Sequence, residues 1–455
     1  MNEFVLVGAA VLATMLLLAF ICWKQRADVG QRRFFRNQTY HFQTLRVFND
    51  IPAGGADTGE ILQAIRSIRS GDAQSWYAGW EAAARRALAL GTDAQDSLSR
   101  GGALLRAHSY LRAAQFLLPP NDPKRPDGFT RDNAAFYEGL QAIGARHELF
   151  QAPYSGTHLK ADYYPGPEGA EAKPLIMFCG GYDSTLEELY FILTAAALQR
   201  GYSVLTFEGP GQGSALREQG MTFTHEWEKP TGAVLDEFLV HHTRPARIVL
   251  MGMSMGGYLA PRAAAFDARI DGVVAFDVLF DMGEAARRYA PSAAFWLYDH
   301  GLSALVSLFV KAKAALNPDF AWAIDNGKWV MGTNNAIETL RSFDPYTLKD
   351  VAQQIRGDVL ILAGADDHFV PFSQVQAFER SLINARSVTT RIYDEASGGA
   401  EHCQLGAVTL WHQHLFDWLT AKFGATLPAQ PGKAISQTHH ATEFDAATIK
   451  SANSG

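Results

Sequence analysis

The sequence predicts an α/β protein with a mostly parallel central sheet and helices on both faces of that sheet. From about residue 147 onward, short apolar runs alternate with turns and helix-compatible stretches. Strands that alternate with helices favour a parallel sheet buried on both faces. A helical stretch rich in Ala, Leu and Arg precedes these runs, and an aromatic-rich helical stretch interrupts them. We therefore expect an N-terminal helical domain and a helical lid insertion beside the α/β core.

The first residues predict a transmembrane helix. Residues 4–23 carry no charge, and at about 1.5 Å per residue they span about 30 Å, the thickness of a bilayer core. The segment before them holds no Lys or Arg and no small-residue cleavage site follows, which favours a retained anchor over a cleaved signal. Basic residues follow the span and none precedes it: Lys24, Arg26, Arg32, Arg33 and Arg36. The positive-inside rule then predicts a single-pass membrane protein, bound to the lipid bilayer through residues 4–23, with its body in the cytoplasm.

The rest of the chain divides where its pattern changes. Apolar residues at helical spacing between 57 and 149 predict helices, and Pro119 to Pro123 break that pattern. Two strands are expected around a turn at Ser155-Gly156. The expected divisions are 1–26 for the anchor, 27–146 for a juxtamembrane segment and the helical domain, 147–283 and 346–427 for the two parts of the core, 284–345 for the lid, and 428–455 for a disordered tail.

The composition excludes several classes of protein. Hydrophobic residues make up 47% of the 455 residues and charged residues 19%, which excludes a mostly disordered chain. The net charge of −7 offers no broad basic surface for nucleic acid. Three cysteines without zinc-type spacing indicate neither a disulfide framework nor a metal site. We expect no metal, no cofactor and no nucleic-acid partner, and the sequence leaves a homo-oligomer open.

The strongest local signal is the G-x-S-x-G pattern of residues 252–256. It follows the apolar run 248–250 and precedes a helix-compatible stretch from Tyr258 to Phe266. This is the strand–turn–helix context of a nucleophile elbow, in which small neighbours permit a tight turn and the serine hydroxyl stands clear of the sheet. The pattern predicts Ser254 as a nucleophile.

A nucleophilic serine needs a base and an acid, which this motif places after it in the chain as acid and then histidine. His402 lies in the loop after the last expected strand, 388–394, and is the expected base. His368, His412 and His414 are expected to be supporting or structural. The expected acid is Asp367, three residues after Gly364 and four before Pro371, as in similar hydrolases; Asp277, at the end of the preceding strand, is the competing acid.

An oxyanion hole requires two backbone N–H donors. Met255, which follows the nucleophile, is expected to supply one. The loop after the strand 175–178 is expected to supply the other, from Gly181 or Tyr182. The glycine-rich stretch from Glu208 to Gly213 is expected to shape a turn near the pocket, and Cys179 to be a small buried residue.

These segments together resemble a known family. FCGGYDSTLEELYF, VLTFEGPGQGSALREQG, GMSMGGYLAPRAAAF, AGADDHFVP and GAEHCQLG occur in this order, after SWYAGW and YLRAAQFLL. They resemble the branch of the α/β-hydrolase superfamily that includes dihydroxypseudooxynicotine hydrolase, FrsA-like esterases and fungal polyketide-tailoring hydrolases, over about residues 57–425. The resemblance implies an α/β-hydrolase fold, a helical N-terminal domain and a triad on Ser254, Asp367 and His402.

The expected function is hydrolysis of an ester or a ketone C–C bond in an apolar or aromatic small molecule, through an acyl-enzyme. An acyltransferase or condensation enzyme with the same triad is the first alternative. An inactive, membrane-tethered binding module of the same fold is the second.

Overall fold

A computed structural model of the chain describes residues 33–288 and 290–424. The predicted membrane span 4–23, Tyr289 and the predicted tail 428–455 lie outside the described residues. Within the two described ranges, no helix is both long enough and apolar enough to cross a membrane.

Among the described residues, five α-helices precede the sheet. They are α1 (Gln38–Asn49), α2 (Thr58–Ile65), α3 (Ala73–Asp93), α4 (Ser97–Phe116) and α5 (Lys124–Ala142). Side chains of Asn37, Asp57, Asp72 and Asp96 accept hydrogen bonds from backbone N–H groups of the first turns of α1 to α4, the usual way in which a helix start is satisfied. These helices enclose a core that contains the fully buried rings of Trp76, Trp80 and Tyr110.

The sheet has eight strands. They are β1 (Glu148–Tyr154), β2 (Thr157–Tyr164), β3 (Leu175–Cys179), β4 (Val204–Phe207), β5 (Ile248–Met253), β6 (Gly272–Phe276), β7 (Asp358–Gly364) and β8 (Ser387–Tyr393). Their order is β1-β2-β4-β3-β5-β6-β7-β8. β1 and β2 form an antiparallel hairpin, β2 pairs antiparallel with β4, and the remaining pairs are parallel. The prediction of a mostly parallel sheet is confirmed.

Helices cover both faces of the sheet. A π-helical turn at Tyr190–Thr194 leads into α6 (Ala195–Gln199), and the others of the core are α7 (Gly213–Arg217), α8 (Glu228–His241), α9 (Gly256–Phe266), α15 (Ser373–Ser381) and α16 (Val408–Phe423). In β5, Ile248 and Leu250 enter one hydrophobic core while Val249 and Met251 enter the other. Burial on both faces explains why the parallel strands are continuous apolar runs.

Five helices lie between β6 and β7, within the stretch expected to form a lid. They are α10 (Met282–Arg287), α11 (Ser292–Asp299), α12 (Ser303–Leu316), α13 (Pro318–Met331) and α14 (Ala336–Ser342). This group contacts the N-terminal helices, because Trp322 Nε1 in α13 donates a 3.0 Å hydrogen bond to the carbonyl of Phe116 at the end of α4. The two helical regions therefore meet beside the loops that follow the parallel strands.

Candidate active site

Ser254 occupies a sharp turn between β5 and α9. Its φ of +60° lies in the left-handed region that non-glycine residues rarely adopt. The turn leaves no room for side chains at its glycines. A Cβ on Gly252 would lie 2.0 Å from the Gly256 carbonyl oxygen, and one on Gly257 would lie 1.7 Å from the Asp277 carbonyl oxygen. The glycines thus allow the strained geometry, and the serine side chain remains half-buried while the strand before it is buried.

Three side chains that are distant in the sequence converge at this turn. His402 Nε2 lies 2.8 Å from Ser254 Oγ, and His402 Nδ1 lies 2.6 Å from an oxygen of Asp367. An ionised carboxylate only accepts hydrogen bonds, so the Nδ1 nitrogen carries the proton. Nε2 of the neutral ring is then free to accept the proton of the Ser254 hydroxyl. The three residues expected to form a triad lie at the distances that such a relay needs.

The electrostatics of the site follow from burial and from the pairing of Asp367 with His402. Burial alone would raise the pKa of Asp367, but the charge and hydrogen bond of His402, together with the Val370 N–H, lower this pKa to about 2. Burial alone would lower the pKa of His402, but the Asp367 carboxylate outweighs it and raises this pKa well above its ordinary value. The pair is therefore organised to stabilise an imidazolium.

Asp277, the competing acid, also lies near His402 but is farther from its Nδ1 than Asp367 is. One of its oxygens is 3.5 Å from His402 Nδ1. Its two oxygens accept hydrogen bonds from Cys403 N (2.7 Å) and Gln404 Nε2 (2.8 Å). Burial, and then the charge of Asp367, raise the pKa of Asp277 to about 8, so that its carboxyl is mostly protonated at neutral pH. Distance and charge both favour Asp367 as the partner of the histidine.

The candidate oxyanion donors lie against the elbow. Gly181 packs so closely that a Cβ there would be 2.8 Å from Ser254 Cβ and 3.0 Å from Met255 N. The Gly181 N–H donates to Ser184 Oγ at 2.9 Å, so it is already in use. Within residues 33–288 and 290–424, the N–H groups of Met255 and Tyr182 have no such partner. Of the two loop candidates, Tyr182 is therefore the better donor beside Met255.

The glycine-rich turn after β4 supports this loop. Gln212 Nε2 donates to the carbonyls of both Gly180 and Gly181 at 2.9 Å. Glu208 is buried and accepts from Ser214 N at 2.9 Å, while burial and the charge of Glu187 raise the pKa of its carboxyl to about 7. Through these hydrogen bonds, both side chains stabilise the loops beside Ser254.

Three further residues considered in the sequence analysis, Cys179, His412 and His414, make contacts typical of structural residues. Cys179 is buried at the end of β3, and burial raises the pKa of its thiol to about 12, which leaves it un-ionised. His412 Nε2 lies 2.7 Å from the Ile192 carbonyl, and His414 Nδ1 lies 2.9 Å from the Tyr393 hydroxyl. Both rings belong to the packing of α16.

One group of side chains has the composition of a metal site. Ligand atoms of Asp277, His402 and Cys403 lie within 4.8 Å of one another. Both nitrogens of His402 are engaged, with Asp367 and with Ser254. A metal ion bound to this histidine would have to displace one of these contacts, so the arrangement fits the relay better than a metal.

Helix α1 contributes a contact that the sequence analysis missed. The Phe42 ring lies 6.1 Å from the His402 ring and 5.0 Å from the His368 ring, centroid to centroid. The sequence analysis assigns the start of the region 27–146 to a juxtamembrane segment and predicts no helix at Gln38–Asn49. The apolar residues Tyr40 and Val47, both buried in the structure, are seven residues apart, a spacing that fits one face of a helix and could have predicted α1.

Comparisons with known proteins define the class. Residues 175–405 match the alpha/beta hydrolase family. Hydrolase acrC of Aspergillus aculeatus is 33% identical over 423 residues, which cover 86% of this chain and 98% of that protein. The 20-hydroxy-prefusarin hydrolase FUS2 of Gibberella moniliformis is 34% identical over 416 residues, with the same coverage. The chain belongs to the alpha/beta hydrolase family.

A solved structure shows the same fold over most of the chain. The 2,6-dihydroxy-pseudo-oxynicotine hydrolase matches with a TM-score of 0.59 at 22% identity, over 83% of this chain and 95% of that one. The resemblance predicted from the sequence segments is confirmed. The protein is an enzyme of the α/β serine hydrolase type, and a small-molecule substrate is consistent with that class.

Proposed function

We propose that the protein is a membrane-anchored serine hydrolase that cleaves an ester or a ketone C–C bond through Ser254, His402 and Asp367. The observation that carries this proposal is the continuous chain of contacts from Asp367 through His402 to Ser254, at 2.6 and 2.8 Å. Each member has the role its surroundings favour: a strained, half-buried serine, a histidine whose Nε2 contacts the serine hydroxyl, and a carboxylate that orients the histidine.

In this mechanism, Ser254 Oγ attacks the substrate carbonyl while His402 Nε2 takes its proton. The negative oxygen of the tetrahedral intermediate accepts hydrogen bonds from the N–H groups of Met255 and Tyr182. His402 then returns the proton to the leaving group, which is an alkoxide for an ester and a carbanion or enolate for a C–C bond. Water, activated by the same histidine, releases the acyl group from Ser254.

The surroundings of the site support an apolar or aromatic small molecule as the substrate. The rings of Phe42 and Phe369 lie next to His402, and the five helices between β6 and β7 act as a lid over the pocket. The relative from Gibberella moniliformis, a 20-hydroxy-prefusarin hydrolase, supports a small molecule as the substrate.

The proposal places the catalytic domain at the cytoplasmic surface of a membrane. The uncharged segment 4–23 is long enough to span a bilayer, and the basic residues after it favour this orientation. Fourteen residues, 24–37, lie between Trp23 and the start of α1 at Gln38, which limits the distance between span and helix to about 50 Å. Because Phe42 of α1 lies beside His402, this connection places the active site near the membrane surface, where an apolar substrate could enter from the bilayer.

Covalent labelling tests this function. The full chain in detergent is treated with a fluorophosphonate probe, and the modified residue is located by peptide mass mapping. We expect stoichiometric labelling at Ser254 and none in a Ser254→Ala variant. A folded wild-type protein that takes up no probe would contradict the proposal, and labelling of a different residue would reassign the nucleophile.

A further inference from the structure

A cavity lies beside the oxyanion loop, where the N-terminal helices, α7 and α13 meet. The cavity is narrow and partly open, and the figure of about 290 Å³ for the space around it includes open solvent. Its wall combines aromatic and cationic side chains: Phe116, Arg125, Tyr182, Arg217, Trp322 and Trp329. Tyr182 follows Gly181, which packs against Ser254, and consecutive Cα atoms are about 3.8 Å apart. The cavity therefore lies beside the loop that carries the candidate oxyanion donors.

The two arginines of the cavity differ from the other buried arginines near the site. Arg46 and Arg112 both pair with the Glu188 carboxylate. In the described part of the chain, no carboxylate forms an ion pair with Arg125 or Arg217, and the Nε of each is buried without a hydrogen-bond partner. The hydrogen bond of Arg125 is with a backbone carbonyl, that of Leu118 at 2.8 Å. An unpaired cation in such a place is costly unless a ligand supplies the counter-charge.

Further features of the wall favour a planar anion. The Trp329 indole lies under both guanidinium groups, 4.7 Å from that of Arg125 and 5.3 Å from that of Arg217. Asn326, 3% exposed, lines the cavity and has a buried Nδ2 without an acceptor. Three residues that line the cavity, Arg125, Arg217 and Asn326, thus each have a buried N–H group without an acceptor. Arginine is the side chain best suited to bind a planar, two-oxygen anion.

Acidic groups near the cavity act on its arginines, although none forms an ion pair with them in the described residues. Asp122 acts on Arg125. Asp132, Glu208 and Glu187 act on Arg217, and Glu187 also pairs with Lys160. Asp183 lines the wall, but it pairs with Arg46 at 3.2 Å. Asp132 lies near Arg217 in the interior, where burial and the charge of Glu187 raise the pKa of its carboxyl well above its ordinary value. Burial lowers the pKa of Arg125 to about 9, so its guanidinium is still charged at neutral pH.

We propose that this cavity binds an anionic oxygen group of the substrate, a carboxylate or an ionised 1,3-dicarbonyl enol, through Arg125, Arg217 and Asn326. The inference rests on the proposed hydrolase function and adds the class of substrate: an apolar or aromatic molecule that carries a delocalised oxyanion in addition to the carbonyl that is attacked. The anion neutralises the two guanidinium groups, and the tryptophan rings contact the apolar part beside it.

Matched esters test the inference on the full chain in detergent. The first carries a free carboxylate, the 4-nitrophenyl monoester of suberic acid. The second replaces this carboxylate by a carboxamide, and the third by a terminal 1,3-diketone. We expect wild-type kcat/KM to be at least about tenfold higher for one or both acidic esters than for the carboxamide, the size of one charge-assisted hydrogen bond. Which acidic ester is preferred distinguishes a carboxylate from an enol as the bound group.

Variants connect this preference to the cavity. Arg217→Gln and Asn326→Asp should bring the ratio of acidic to neutral kcat/KM towards one, and Asn326→Asp should do so most strongly because it adds an opposing charge. Arg217→Lys should retain part of the ratio, since it keeps the charge without the fork of donors. Arg86→Gln, at an exposed arginine of α3, is the matched control and should keep the wild-type ratio. Thermal unfolding of each variant verifies that it is folded.

The possible failures can be told apart. Wild-type enzyme that is labelled at Ser254 and cleaves the neutral ester, with no preference for either acidic ester, would overturn the inference and leave the hydrolase function standing. Absence of labelling would sink the hydrolase function. In that case, binding can be measured by the quenching of tryptophan fluorescence in Ser254→Ala. Quenching by suberate that is weakened by the added Arg217→Gln substitution, together with no quenching by suberamide, would still support an anion site. Equal quenching by both compounds would refute the site.

Discussion

At the scale of single residues, the two aspartates around His402 have opposite pKa shifts and should therefore respond differently to substitution. The pKa of Asp367 is lowered and its carboxylate lies 2.6 Å from Nδ1, whereas the pKa of Asp277 is raised and its nearest oxygen lies 3.5 Å away. Asp367→Asn should lower the rate of ester hydrolysis by about 10⁴, because the amide no longer fixes the reactive tautomer. Asp277→Asn should keep the rate within about tenfold of the wild-type rate. It should cost about 1–3 kcal/mol of stability, because the amide N–H₂ group would face one of the two N–H donors, Cys403 N or Gln404 Nε2, and leave it without an acceptor.

Steady-state kinetics and thermal unfolding of both variants measure this contrast. Equal losses of activity in the two variants would show that the carboxyl groups act on His402 together. A larger loss in Asp277→Asn would exchange their roles.

The same electrostatics predict the pH dependence of the reaction. His402 acts as a base only when neutral, and Asp367 raises the pKa of its ring well above 6.5. The rate of labelling by fluorophosphonate should therefore be low in acid, rise with pH through an inflection above 6.5 and then level off. Asp367→Asn should move the inflection to lower pH, because the imidazolium loses its counter-charge. A wild-type inflection at or below 6.5, measured by labelling rates across about pH 5–10, would contradict this assignment.

The sequence predicted those residues whose role depends on local pattern. Ser254 is identified by the strand–turn–helix context, and His402 by its place after the last strand. The protonation of Asp277 follows from burial, which depends on long-range packing and has no local signature. Arg125, Arg217 and Asn326 lie on three separate segments, and only the packing of α5, α7 and α13 brings them to one cavity.

At the scale of elements, the elbow between β5 and α9 depends on its glycines. Gly257→Ala would place a Cβ 1.7 Å from the Asp277 carbonyl oxygen, a backbone atom that cannot rotate away. We expect a loss of stability of several kcal/mol, about 3 or more, together with loss of labelling at Ser254. The matched control is Gly232→Ala in α8, where the nearest atom would be an Arg269 nitrogen at 3.8 Å.

The control should be neutral or stabilising by up to about 1 kcal/mol, since alanine is the better helix former. Chemical denaturation of both variants checks the pair. Wild-type stability in Gly257→Ala would show that the turn can relax, and the strained geometry would then not be essential to the elbow.

The elements themselves were predictable to different degrees. Parallel strands buried on both faces leave continuous apolar runs, so β3 lies within one residue of its expected position and β5 begins at the expected residue. The expected break at Pro119 to Pro123 also agrees with the structure, in which helix α5 begins directly after it and spans Lys124–Ala142. Pro126 lies in its first turn, where the missing N–H costs nothing. Helix α1 was missed because basic and aromatic residues are also typical of a segment next to a membrane.

At the scale of the whole molecule, buried charges join the N-terminal helices to the catalytic loops. Arg46 of α1 and Arg112 of α4 share the carboxylate of Glu188, and Arg46 also pairs with Asp183 beside the oxyanion loop. Removing one partner of such a network leaves an unpaired buried charge, which is strongly destabilising. The N-terminal helices thus form part of the site, and they connect it in sequence to the proposed anchor.

The anchor gives the last prediction. Full-length protein expressed in cells should sediment with membranes, resist extraction by alkaline carbonate and be released by detergent. Leu16→Arg combined with Leu17→Arg should shift it to the soluble fraction, because each arginine near the centre of a span costs about 2.5–3.5 kcal/mol on insertion. The matched control, Leu16→Ala with Leu17→Ala, should stay with the membrane. If both variants distribute like the wild type after the carbonate wash, residues 4–23 are not what holds the protein there. Protease added to sealed cells should leave the C-terminal body intact if it is cytoplasmic, and digestion of that body would reverse the proposed orientation.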